Sequence, residues 1–452
     1  IDYNQTYYKF KIGEEGIYRL TYQTLDSIGV PISSINPKNF QLFLNGEEQH
    51  IYLSGESDNT FDSTDFIEFY GKGNDGSLDK ELYRSPEEHT NPYYSLYSDS
   101  SVYFLTWNSL TNNQRITNFY DNDYNGKTSD SFFMHEVVYI NSTSYYPGIP
   151  VNNDALQIYS EYTEGEGYHR RIWGGMTLLE LKTPKVYKNG PNAHLDLLAY
   201  TSNHNKDVII NNFNHEFGIS IKSRLNLIFS KKTLGHEKIE ESIQFLNSDL
   251  ETISKIYVGE LTFAGSEINL SWIRLKYPRL FDLDNSSILK IQQSSFNSKF
   301  LNFNNYPSNK FAPVIYDFKN NNRIIADKNG NSIHFNLSEV GNDISLFISD
   351  QTDAKVINPS EIRPVIMISN LEPRITANYL IISNKRLSNG VEKYKDYRTS
   401  KAGGSNSVHL VYMDDLYNQY SYGYFHPLSV KHFIDKFTSQ SNSIEHIRLL
   451  GK

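Results

Sequence analysis

The stretch ANYLIISNKRLSNGVEKYKDYRTSKAGGSNSVHLVYM, residues 377–413, sets the fold class of the C-terminal end. ANYLIISN is a short, continuous apolar run of the kind found in strands buried on both faces. VEKYKDYRTSKAGG puts Val391, Tyr394 and Tyr397 on one helical face ahead of a Gly403-Gly404 stop, and SVHLVYM is a second apolar run. Further on, HPLSVKHFIDKFTSQ places Pro427 in a helix's first turn, with Val430, Phe433, Ile434 and Phe437 on one face, before a last strand HIRLLG. Three strands alternating with helices predict the opening of a parallel, doubly wound sheet, because crossovers between parallel strands are right-handed.

Upstream the grammar is different. In residues 1–110, YYKFKI and IYRLTY flank a GEEG turn, FQLFLNGEEQHIYL reads as two strands about an Asn45-Gly46 turn, and FIEFYG and VYFLTW follow. YQTLDSIGVP, with Leu25 and Ile28 ahead of Gly29 and Pro31, predicts one short helix. In residues 111–372, strands such as FFMHEVVYI, MTLLELKTP, AHLDLLAYTS, DVIINNF, RLNLIFS and DISLFISD recur between polar turns, and Ile268, Leu270 and Trp272 alternate with Asn269 and Ser271. This is the pattern of a β-sandwich or jelly roll. KIEESIQFLN is the exception, a helical window with Ile239, Ile243 and Leu246 on one face; FNSKFLNFNNYPSNKF and DFKNNNR read as surface loops. The expected fold is therefore mainly β: a hairpin-rich β domain over 1–110, a β-sandwich or jelly-roll region over 111–372, and the first three parallel strands of an α/β domain over 373–452.

Composition narrows the chemistry. The 452 residues are 14% aromatic, with 34 Tyr and 26 Phe, which suits half-buried strands. A net charge of −9 argues against nucleic acid as partner, since neutralising phosphates needs a basic face. There is no apolar run of about 18 residues and no signal-peptide pattern at IDYNQTYYKFKI; a leader used for export is expected to have been removed. The cysteine count of zero excludes disulfides, thiolate metal sites and a thiol nucleophile within these residues.

Each motif has a plain reading. Gly71, Gly73 and Gly76 in YGKGNDG form a G-x-G-x-x-G, but prolines stand where the next parallel strand of a nucleotide site belongs, so a turn is preferred. His135-Glu136, His215-Glu216 and His236-Glu237 each lack a second histidine four residues on, so no zinc-protease helix is present. Asp121, Asp123, Asn125 and Gly126 match the first half of a calcium loop, yet Phe132 holds the position of the closing acid; Asp58, Asp62 and Asp65 are a second such cluster. Asx turns are the preferred reading of both, and structural calcium stays open as the alternative. Ser405 in AGGSNS lacks a nucleophile elbow. Glu164 and Glu166 beside His169, Arg170 and Arg171 read as a charge-balanced turn rather than an acid/base pair.

Taken in order, EEGIYRLTYQTL (14–25), NPKNFQLFLNGEEQHIYL (36–53), FDSTDFIEFYGKGNDG (61–76), NPYYSLYSD (91–99), YFLTW (103–107) and YTEGEGYHRR (162–171) resemble the amino-terminal region of PorU-type gingipain-family cysteine peptidases. NYLIISNKRL, VEKYKDYRTSKAGG, YNQYSYG and VKHFIDKF resemble the opening of that family's peptidase domain. The resemblance implies a flavodoxin- or caspase-like peptidase fold and a His-Cys dyad in which a thiolate attacks the peptide carbonyl and the imidazole moves protons. It further implies a place at the Bacteroidetes cell surface and outer membrane, in the type IX secretion system. Its implied partners are protein substrates, an outer-membrane barrel protein and the remainder of the peptidase domain.

Both members of the dyad are expected beyond Lys452, at the far side of the strand HIRLLG, so no catalytic, cofactor-binding or metal-binding residue is assigned within the chain. On this reading the chain is the front part of a longer protein, and whether that protein is an active enzyme is open. The expected function is a non-catalytic region that positions the peptidase and docks partners. The alternatives are an inactive adhesion or scaffold component of the secretion or gliding apparatus, and a glycan-binding β-sandwich.

Overall fold

The computed structural model describes residues 2–149, 159–202, 214–262, 267–341, 343–368, 371, 376–440 and 444–451. The segment DVIINNF lies outside them. Two compact units result, one built from residues 1–74, 97–115 and 355–452 and the other from residues 75–96 and 116–354. The division is not the linear one expected at 110/111 and 372/373.

In the first unit, one antiparallel sheet runs in the order Arg363–Ile366, Thr6–Ile12, Ser101–Trp107, Phe40–Leu44, Glu47–Gln49. A second runs Lys355–Val356, Gly16–Thr21, Phe66–Gly71, Tyr52–Leu53. Residues 355–366, expected in the 111–372 sandwich, instead add an edge strand to each of these N-terminal sheets. Phe10, Leu20, Phe40, Leu42, Ile67, Phe69 and Tyr103 fill the core between the sheets, with the Phe10 and Tyr103 rings stacked at 5.8 Å. The Asn45-Gly46 turn has φ of 51° and 81°, the left-handed pair a two-residue hairpin requires. Helix Tyr22–Ser27 forms as expected, capped by the Thr21 hydroxyl, which accepts from Thr24 N at 3.1 Å.

The same unit carries a three-stranded parallel sheet in the order Val408–Tyr412, Tyr379–Ser383, His446–Leu450. All five residues of the central strand are buried. Tyr379 and Ile381 pack against Val391 and Tyr394 of helix Ser388–Thr399. Leu380 and Ile382 face the other way, onto Leu416, Phe433 and Phe437 of helices Met413–Tyr420 and Leu428–Gln440. Helices thus cover both faces, as the apolar runs required. Two details differ from the sequence reading. Tyr397 is 50% exposed and Arg398 takes its place on the inner helical face. Helix Met413–Tyr420, with Asp414 and Asp415 in its first turn, was not expected.

Helix Met413–Tyr420 and the loop after it rest on the first antiparallel sheet. Lys9 Nζ donates to Asn418 Oδ1 at 2.6 Å, the Tyr97 and His426 rings meet edge-to-face at 4.8 Å, and a Cβ on Gly423 would stand 2.8 Å from the Phe104 ring. Gly423 has φ of 84°, so the position favours glycine on conformation as well as on space.

In the second unit, one sheet runs Ser144–Tyr146, Gly167–Trp173, Glu267–Arg279, Ala193–Ser202, Lys238–Phe245, with Phe133–Ile140 paired to the later half of Glu267–Arg279. It shares a core with the sheet Met176–Lys182, Ile253–Glu260, Asn214–Ile221, Leu227–Leu234, through Leu195, Leu197, Phe217, Ile219, Ile256 and Val258. This is the expected sandwich. KIEESIQFLN, expected as a helix, is the edge strand Lys238–Phe245, and its Leu246 is 60% exposed. The even alternation expected through Trp272 also fails. Leu198 pairs with Trp272 but Ala199 with Leu270, so Ser271 is bulged out. Ile268 and Leu270 face the core before the bulge and Ile273 and Leu275 after it, while Trp272 turns to the opposite face with Tyr146 and Tyr200.

A separate core lies between the sheet Leu289–Gln293, Ile344–Ser349, Val314–Asp317, Asn322–Ile325, Thr117–Phe119 and the ribbon Phe300–Phe303, Ser332–Asn336, Asp327–Asn329. Here FNSKFLNFNNYPSNKF is not a surface loop. Phe296, Leu301, Phe303 and Tyr306 are buried, because its apolar residues alternate among the asparagines.

Candidate functional site

In an open parallel sheet, ligands bind beyond the carboxyl ends of the strands where the connections diverge to opposite sides. With Tyr379–Ser383 in the centre and its two successors on either flank, that place is the carboxyl end of the central strand. Ser383 Oγ donates to Leu450 O at 2.7 Å, tying together the ends of two strands. Asn384 turns the chain out of the sheet by accepting from Arg386 N at 2.9 Å. Lys385 then reaches Asp415, in the first turn of helix Met413–Tyr420, at 2.8 Å.

Nearby, the Tyr412 hydroxyl donates to Glu392 Oε1 at 3.1 Å, and Glu392 also pairs with Lys395 at 3.0 Å. The Lys395 hydrogen bond holds the Glu392 carboxyl below the usual carboxylate range, while burial and then Glu392 push the Tyr412 phenol up. These groups can orient and hydrogen-bond. They hold no nucleophile–base pair: the Ser383 hydroxyl is committed to a carbonyl, and His409 and His446 lie toward the amino ends of their strands. The Lys385–Asp415 and Tyr412–Glu392 pairs were not read from the sequence. Their only local signal was polar residues directly after an apolar run.

The other motif residues are structural. Gly71 lets Tyr18 and Ile12 approach, Gly73 lies against the Gly13 and Asp99 carbonyls, and Gly76 has φ of 76° with the Tyr94 carbonyl 2.2 Å from where a Cβ would stand. A 3₁₀ turn, Ser77–Leu82, follows, and strand Phe66–Gly71 is antiparallel to Gly16–Thr21, so the glycines build a turn. Asp65 Oδ2 accepts from Asp62 N at 2.7 Å, Asp58 Oδ1 from Thr60 N at 2.9 Å, and Asp121 Oδ1 from Asp123 N at 3.0 Å. The Asp58 and Asp121 contacts are Asx turns, and Asp65 closes the turn back onto Asp62. Among the described residues no group of three or more His, Asp or Glu side chains is arranged to hold a metal ion. Ser405, with φ of 53°, donates its N–H to Ser400 O and ends a helical turn.

The histidines and the acidic cluster serve the sandwich. His215 lies buried, its Nδ1 3.6 Å from Glu260 Oε2. Burial, with Arg279 adding to it, pushes His135 down to about 3. His169 is 2% exposed; its Nε2–H donates to Gly165 O at 2.8 Å, and burial pushes it down to about 4. Glu164 and Glu166 are not an acid/base pair. Glu164 meets Lys238 at 3.3 Å, while Glu166 accepts from Thr163 N at 3.1 Å and from the Tyr145 hydroxyl. Arg170 donates to Tyr139 Oη at 2.7 Å, and Arg171 pairs with Glu267 at 2.5 Å.

The parallel-sheet segment is also the part that a known family matches. Residues 372–452 match the family model of peptidase family C25. Over those residues the C-terminal end is therefore similar to this peptidase family. The crystal structure of dimeric latent PorU from Porphyromonas gingivalis aligns with a TM-score of 0.59 at 13% identity, over 96% of this chain and 39% of that one. The likeness shows a shared fold, and the chain spans about two fifths of that structure's length. A BuGH86 variant in complex with neoagarooctaose aligns at a TM-score of 0.18 and 11% identity, over 60% of this chain and 32% of that one, too low to bear on the fold. Among curated proteins none matches the sequence. The C25 segment is the one flanked by the Ser383–Leu450 and Lys385–Asp415 contacts, so the matched residues and the candidate crevice coincide.

Proposed function

We propose that this chain is the non-catalytic N-terminal part of a surface cysteine endopeptidase or sortase of the type IX secretion system, with β regions that position the peptidase and dock an outer-membrane barrel partner. The observation that carries the positioning role is the seat of the C25 segment on the N-terminal sheet, through Lys9–Asn418, Tyr97–His426 and the glycine contact at Phe104. The absence of cysteine from all 452 residues supports a non-catalytic role, since the family's nucleophile is a thiolate.

The first test is hydrolysis. The purified chain is expected to release no fluorophore above a buffer blank from a panel of fluorogenic peptides spanning basic, acidic and apolar cleavage sites. Turnover above the blank would overturn the non-catalytic reading. Positioning is tested in the protein of the source cell. Lys9→Glu with Phe104→Ala is expected to lower processing of exported proteins while the protein still reaches the surface; unchanged processing would remove the positioning role.

A further inference from the structure

Away from the carboxyl-end crevice, the opposite end of the central strand gathers an unusual set of donors. Tyr379 opens the strand, and its hydroxyl lies 2.9 Å from that of Tyr394 on helix Ser388–Thr399. One helical turn further, on the same face of that helix, the Arg398 guanidinium stacks over the Tyr379 ring at 4.5 Å. On the neighbouring strand, His446 pairs in register with Tyr379 and Arg448 with Ile381, so both side chains rise on this face of the sheet. The Tyr379 and His446 rings are 5.2 Å apart, and Arg448 stands on the same face of the sheet, two positions along the strand from His446, with its charge acting on the Tyr379 phenol. Two guanidiniums and two phenols therefore converge.

Their charge is not balanced from within. Among the described residues neither Arg398 nor Arg448 is ion-paired with a carboxylate, although the chain as a whole carries a net charge of −9. Arg398 Nε is shielded from solvent and has no hydrogen-bond partner. A desolvated donor left unmatched is destabilising, and an acceptor that docked here would offset that loss. Arg448, by contrast, is exposed among the described residues. The phenols respond to the charge. Burial would raise Tyr379, but the Tyr394 hydroxyl, Arg448 and Arg398 together hold it below the ordinary tyrosine range.

We propose that Arg398, Arg448, Tyr379 and Tyr394 form a binding site for a phosphate monoester. The match is one of charge and geometry. A monoester carries about −1.5 to −2 at neutral pH, close to the two fixed positive charges, and its three terminal oxygens can accept from guanidinium forks and phenols together. A carboxylate supplies half that charge. This site lies at the other end of the sheet from the candidate crevice.

Calorimetric titration of the purified chain with glycerol phosphate, at fixed ionic strength and with acetate as control, is the test. Saturable binding is expected for the phosphate and not for acetate. Arg448→Ala, at an exposed position, is expected to weaken it about tenfold or more; Arg448→Lys should restore part of the loss, and Arg224→Ala, remote in sequence and in the other unit, should change nothing. Bound phosphate should also raise the pH at which a tyrosine ionises in ultraviolet difference spectra, a readout that mere packing of arginine on tyrosine would not move. Vesicles of phosphatidylcholine with and without phosphatidic acid identify the source. Arg448-dependent sedimentation with the acidic vesicles points to a lipid headgroup, and binding of the soluble monoester alone points to a free or glycan-borne phosphate. Equal affinity in the Arg448→Ala chain, or binding no stronger than acetate, would overturn the site.

Discussion

Replacing Phe433 by alanine is expected to destabilise the parallel-sheet region by about 3–5 kcal/mol, the range for deleting a fully buried aromatic ring. Phe433 is inaccessible to solvent and sits where helix Leu428–Gln440 meets the sheet, with ring neighbours His409, Tyr420 and Phe437 at 6.3, 5.2 and 5.7 Å. Nothing small can fill the space, because the surrounding positions are already occupied by Leu380, Ile382 and Val411. The change should appear as faster amide exchange in Tyr379–Ser383 and Val408–Tyr412, read by mass spectrometry, with the sandwich strands unaffected. Phe425→Ala is the control. That ring is 63% exposed, and its loss should cost less than about 1 kcal/mol. If the two variants exchanged alike, the helix would not be packed on the sheet through this face.

Acidification should weaken the sandwich by a separate route. His169 is neutral in the fold, with its value pushed down by burial to about 4, whereas in the unfolded chain it titrates near 6.5. Its folded value is the lower one, so the unfolded state takes up the proton first. Stability is therefore full above about pH 6.5 and falls as the pH drops toward 4, by about 1.4 kcal/mol per unit and about 3 kcal/mol in all. His135, also pushed down, acts in the same direction. Urea midpoints at pH 7.5, 5.5 and 4.5 measure this. In His169→Gln, which can still donate to the Gly165 carbonyl, the slope between pH 6.5 and 4 should flatten, and parallel profiles for the two proteins would contradict the assignment.

The parts of the fold legible in the sequence were those set by local pattern. The apolar runs at 379–383 and 408–412, the Asn45-Gly46 turn and the Thr21-capped helix each carry their signal within about ten residues. KIEESIQFLN misled because Ile239 and Ile243 are spaced to suit one face of a helix or one face of a strand, and the pairing of Ile243 with Leu195 decides it. The bulge at Ser271 is set by the partner strand, so no alternation rule applied to that segment alone could find it. Strands 355–366 pair with residues 6–9 and 18–19, more than 300 positions away, and such pairing leaves no local trace. At the candidate site, the sequence indicated which end of the sheet mattered but not the Lys385–Asp415 or Tyr412–Glu392 pairs, because each joins side chains from different elements. The Arg398–Tyr379–Arg448 cluster was hidden for the same reason, spread over a strand, a helix and a second strand.

The central claim is that residues 379–450 form a parallel sheet with Tyr379–Ser383 in the middle and His446–Leu450 running alongside it in the same direction. Because the chain has no cysteine, pairs introduced by mutation report on it without background. Ser383→Cys with Leu450→Cys places two thiols on register neighbours about 5 Å apart, whereas Ser383→Cys with His446→Cys separates them by about 13 Å along the strand. A short bifunctional maleimide is expected to close the first pair and leave the second open; closure of the Ser383/His446 pair instead would mean an antiparallel strand and would remove the basis for the crevice.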